Sequence, residues 1–218
     1  MERYFHRSTQ LAPNILDIHD ECMSLRNNFY RQKDNPVEQS NCLIILRAHA
    51  LTCERIFRSE TENLKNVGFE VKAMLAYIFC NWPRYPELKE AVVAIADWLI
   101  RTHEENEVPV CETYVLAYFA TAFSTWRDLY EDEHPSLRRA TGVIIEIFER
   151  YKEINTDITS LNSLQNAFEK WGIFDNDMFR GMVAIARNII VLYNSNELYD
   201  IDPDKLTSTD FNRSLINI

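Results

Sequence analysis

The sequence predicts an all-α protein, a stack of about four antiparallel helix pairs over residues 1–199, followed by a polar C-terminal tail over residues 200–218. Scarce glycine is the first reason. Only Gly68, Gly142, Gly172 and Gly181 occur in 218 residues, against an ordinary share of roughly 7%. Sheets need glycine at hairpin turns and bulges, and nucleotide-binding folds need it where backbone meets phosphate. Helices do not. The second reason is that apolar residues recur at steps of three and four along eight successive stretches. The third is an echo: the VAIA of Val93 to Ala96 returns at Val183 to Ala186.

Taken in order, Ile15, Ile18, Cys22, Leu25 and Phe29 mark a first amphipathic helix that ends in QKDNP. Pro36 suits a fresh start, and Leu43, Leu46, Ala50, Cys53 and Phe57 repeat the spacing. Val71, Met74, Leu75, Ile78 and Phe79 define a third, stopped by the two prolines of NWPRYP. Val92, Ile95 and Leu99, flanked by Trp98, make the fourth, closed by ENEVP. Val115, Phe119, Ala122, Phe123, Trp126 and Tyr130 follow, then Ile144, Ile147, Phe148 and Tyr151 after EDEHP. NTDITS offers threonine or aspartate caps for Leu161, Leu164, Phe168 and Trp171. The eighth carries Val183, Ala186, Ile189, Ile190 and Tyr193.

Alignment of these helices extends the echo. Pro86-Glu-Leu-Lys-Glu-Ala91 matches Pro135-Ser-Leu-Arg-Arg-Ala140 without a gap, and the same frame sets Ile95 on Ile144 and Leu99 on Phe148. Carried forward by ninety, it sets Leu88 on Met178, Ala91 on Gly181, Ile95 on Ile185 and Leu99 on Ile189. The preceding helices rhyme too: Leu75-Ala-Tyr recurs as Leu116-Ala-Tyr. Spacings of about 41 to 49 residues match the period of paired-helix repeats of the HEAT or armadillo kind. A lone helix pair cannot bury its apolar face, so stacked pairs would share one core.

Composition narrows the function. Apolar residues at 46% and aromatics at 12% are too many for a disordered chain. The N-terminal MERYFHRSTQLAPN has no apolar signal region, and no run of about 18 apolar residues suggests a membrane span. Five cysteines form no CxxC, and Cys22, Cys53 and Cys80 sit within apolar patterns, as expected of reduced thiols in an intracellular protein, cytoplasmic or nuclear. The net charge is −10, and the acidic excess grows along the chain: eight basic and eight acidic residues over 1–60, five and nine over 155–218. That balance argues against nucleic acid and anionic membranes as partners, though a local basic patch is compatible with it.

Catalytic and metal patterns fail one by one. His103-Glu104 is followed by Glu107 where a metalloprotease helix needs histidine. Asp200, Asp202 and Asp204 suggest a calcium loop, but Lys205 and Phe211 stand where it needs glycine and glutamate. His19, Cys22, His49 and Cys53 have helical spacings suited to zinc, yet both cysteines fall in apolar stripes. No cofactor is called for. The resulting expectation is a non-enzymatic helical-repeat scaffold or adaptor that binds another protein or peptide; the alternative is a helical subunit of a ribonucleoprotein or RNA-processing assembly. The second helices of the pairs are expected to line the binding face, with Arg101, Arg138, Arg150 and Arg187 meeting the partner and Trp98 or Tyr151 as apolar anchor.

Overall fold

The computed structural model describes residues 14–59, 64–82, 84–126, 134–151, 157–172 and 176–194. Among these residues the protein is all-helical: α1 (Ile15–Arg31), α2 (Pro36–Ser59), α3 (Phe69–Phe79), α4 (Pro86–Glu104), α5 (Thr113–Thr125), α6 (Pro135–Tyr151), α7 (Ile158–Trp171) and α8 (Asn176–Asn194). The C-terminal tail over 200–218, Tyr130 and the Glu131-Asp132-Glu133 run lie outside the described residues.

Local chemistry sets the boundaries. Asn14 caps α1, its side-chain oxygen accepting from the N–H of Leu16 at 2.6 Å and of Asp17 at 3.0 Å. Of the two candidate caps before α7, Asp157 is the one used, accepting from Ser160 N–H at 2.9 Å. Proline opens α2, α4 and α6, where its missing N–H costs nothing. Gly172 ends α7 with φ of 100°, a region open to glycine and strained for other residues. The end of α4 is a Schellman turn: Asn106 N–H donates to His103 C=O and Glu107 N–H to Thr102 C=O, both at 3.0 Å. Asn106 takes the left-handed position with φ of 57°, and Val108 behind it is buried.

The helices pack in a regular order. Each odd-numbered helix lies against the next odd one, α1 on α3, α3 on α5, α5 on α7. Each even one lies against the next even one, and α1–α2, α3–α4, α5–α6 and α7–α8 join the two series. The aligned positions share one environment: Leu88, Leu137 and Met178, then Ile95, Ile144 and Ile185, then Leu99, Phe148 and Ile189 are all buried. Ala91, Ala140 and Gly181 complete the set. At Gly181 a Cβ would come within 2.9 Å of Ile145 Cγ1 and Phe168 Cε2, so the absent side chain is what lets α8 approach α6 and α7.

The exposed faces differ from expectation in α3. Val71 and Met74, expected in the core, are half-buried, while Phe69, Lys72, Ala73 and Ala76 are buried. The helix is packed by α1, α4 and α5 together, so its buried arc is wider than one amphipathic stripe. Val183 is likewise half-buried, and Ile190 is exposed.

Candidate interaction groove

The arginines expected to form one surface are dispersed over the even helices. Arg101 is half-buried on the last turn of α4, and its guanidinium donates to the Phe57 carbonyl at 2.8 Å. Arg138, Arg150 and Arg187 are exposed on α6 and α8. Arg138 lines a shallow depression of about 510 Å³ with His103, Glu146 and Asp177; Arg150, Tyr151 and Arg187 line neither this nor the larger groove below. Tyr151 is half-buried against the core. Trp98 is only 5% exposed and sits among Phe57 and Phe69, at 5.9 and 5.0 Å between ring centroids. It is a buried ring that also lines a groove.

Ion pairs join successive even helices. Arg47 and Arg58 of α2 meet Glu87 and Glu90 of α4 at 2.5 and 3.0 Å. Arg139 of α6 pairs with Glu104 of α4, His103 of α4 with Glu146 of α6 at 2.8 Å, and Arg180 of α8 with Glu149 of α6 at 3.3 Å. Exposed pairs of this kind stabilise weakly, but they occupy part of the surface first assigned to a partner. The odd helices are joined by aromatic contacts instead: Arg26 lies over Tyr77 at 5.5 Å, and Tyr77 meets Tyr118 at 4.9 Å.

The concave feature that gathers chemistry is a half-open groove of about 530 Å³ between the start of α3 and the end of α4. Trp98, Phe69 and Leu64 supply apolar lining, Lys72 and Arg101 supply cations, and the Thr102 hydroxyl donates back to the Trp98 carbonyl at 2.9 Å. The Schellman turn after α4 fixes the Glu105–Pro109 wall. Two residues singled out in the sequence, Trp98 and Arg101, thus meet a third that was not. Lys72 is 3% exposed, with Nζ 4.2 Å from the Trp98 ring centroid and 5.4 Å from that of Phe69. Among the described residues its ammonium makes no hydrogen bond or ion pair. Cation–π attraction offsets part of the lost hydration, and burial lowers the pKa to about 8. The sequence signal was a lysine three residues after Phe69 and three before Leu75, in a run to Phe79 whose other charged residue is Glu70.

No family model, no curated protein and no solved structure matches the chain. His19 is engaged with Asp20 at 2.9 Å and His49 with Glu21 at 3.1 Å, while Cys22 and Cys53 are buried. Among the described residues no three His, Cys, Asp or Glu side chains converge as metal ligands, and no helix is long and apolar enough to cross a membrane. The cysteines are all free thiols; burial pushes Cys22 and Cys80 up to about 12 and Cys111 to about 11.

Proposed function

We propose that the protein is a non-enzymatic scaffold of four stacked helix pairs, HEAT- or armadillo-like, that binds another protein or peptide inside the cell. The odd-on-odd and even-on-even packing and the matched burial of the aligned positions support the stacked-pair reading. The free thiols fit a reducing compartment. The observation that carries the binding reading is the groove between α3 and α4. It combines Trp98 and Arg101, side-chain types that supply binding hot spots, with the cation of Lys72.

The test is capture by the immobilised full chain from extract of its own source, compared with Arg101→Glu and with a double charge reversal at Arg138 and Arg187. The expected result is a stoichiometric partner that Arg101→Glu releases. Loss only with the Arg138 and Arg187 reversal would move the interface to the outer even-helix face. A chain that retains no protein stoichiometrically, in any form, contradicts the scaffold reading.

A further inference from the structure

Three features converge in front of the first turn of α3. Gly68 occupies the N-cap and has no side chain to accept from the first N–H groups, which have no intrahelical partner. A Cβ built on Gly68 meets nothing within 4 Å, so the position a capping oxygen would fill is open. Lys72, one turn on, lines the same groove as Gly68, with its ammonium 5.4 Å from the Phe69 ring centroid and 4.2 Å from that of Trp98. Glu70, the carboxylate of the same turn, is exposed and does not line the groove.

An ammonium packed on aromatic rings and uncapped N–H donors in one groove both suit the same ligand, an oxyanion. Glu105 and Glu107 line the groove together with Lys65 and Arg101, so the lining besides Lys72 is balanced in charge, and the single charge of a carboxylate matches that of Lys72. The lining beside it, with Trp98, Val67 and Leu64, is apolar.

We infer that this end of the groove is a carboxylate site. It holds one carboxylate of a bound polypeptide between Lys72 Nζ and the first N–H groups of α3, with the adjoining apolar side chain over Trp98 and Val67. The polypeptide part rests on the scaffold reading; the carboxylate part does not. A chain terminus and an acidic side chain supply the same group, and short peptides separate them.

The test is titration of the full chain, followed through the amide resonances of Gly68, Phe69 and Glu70. The probes are acetyl-leucyl-leucine, its amide, acetyl-glutamyl-leucinamide and acetyl-phosphoseryl-leucinamide. At least one carboxylate peptide should bind about tenfold or more tightly than the neutral amide. Lys72→Met, which keeps the apolar stem, should lower that affinity at least about tenfold. Gly68→Asp should do the same by placing a carboxylate in the site, while raising thermal stability as an added cap; the Gly68 backbone, φ −60° and ψ 150°, accepts it. Gly68→Ala should bind as the parent does. Equal binding of acid and amide, or affinity unchanged in both Lys72→Met and Gly68→Asp, overturns the site, and tighter binding of the phosphoserine peptide overturns its preference for carboxylate. Carboxylate binding here with no protein captured would leave the site standing and remove the scaffold.

Discussion

Tyr77 of α3 and Tyr118 of α5 lie with ring centroids 4.9 Å apart, tilted by 38°. They are the tyrosines of the two rhyming words Leu75-Ala76-Tyr77 and Leu116-Ala117-Tyr118. Each word buries its leucine and alanine and leaves its tyrosine half-exposed. Matched sequence thus becomes direct contact between successive odd helices.

A double-mutant cycle on Tyr77 and Tyr118, each replaced by leucine, should give a coupling of about 0.5–1.5 kcal/mol in urea unfolding. Strict additivity would mean that the rings are neighbours without energetic consequence.

Two glycines should respond in opposite directions to the same change. Gly181→Ala forces a methyl to within 2.9 Å of Ile145 and Phe168 and should destabilise by about 1–3 kcal/mol. Gly142→Ala, inside α6 with nothing within 4 Å, should stabilise by about 0.5–1 kcal/mol through helix propensity. Equal effects in thermal melts would show that α8 does not approach α6 as closely as described.

Lys72 should give the unliganded protein a distinct pH dependence. Its pKa falls from 10.5 to about 8 because burial disfavours the charged form. Between those values the unfolded chain binds more protons than the folded one, so this group makes stability rise with pH across the window. Below about 8 the cost of the buried charge is present in full. Lys72→Met should therefore melt higher than the parent at neutral pH, with the gap closing as pH approaches 10.5. The other charged groups lining the groove, Lys65, Arg101, Glu105 and Glu107, remain in both proteins and cancel in the difference. A gap independent of pH would place the lysine nitrogen in water.

Thiol titration with an aromatic disulfide at pH 8 should find little reaction in the native protein. Cys22, Cys42, Cys53 and Cys80 are buried, and burial raises the pKa of Cys22, Cys53 and Cys80. Cys111, the partly exposed one, should react first, and all five on unfolding. Fast reaction of two or more native thiols would contradict the described core.

The helices were legible because they are written in local, periodic terms: proline at Pro36, Pro86 and Pro135, threonine or aspartate caps in NTDITS, and recurring apolar steps. The groove was only partly legible. Arg101 and Trp98 stood out by residue type, but nothing local says that α2 accepts the Arg101 hydrogen bond at Phe57, or that Trp98 is enclosed by Phe57 and Phe69. Lys72 was missed because periodicity assigned the buried face of α3 to Val71 and Met74. Three helices packed on α3 widen that face until it includes a lysine. Likewise, ion pairs such as Arg139 with Glu104 and Arg180 with Glu149 depend on which helices become neighbours.

The most direct measurement is hydrogen exchange of the full chain with and without its captured partner. Binding in the groove predicts added protection concentrated at residues 64–72 and 98–109, where its walls lie. Protection confined to the exposed faces of α6 and α8, with both groove segments exchanging as in the free protein, would contradict it.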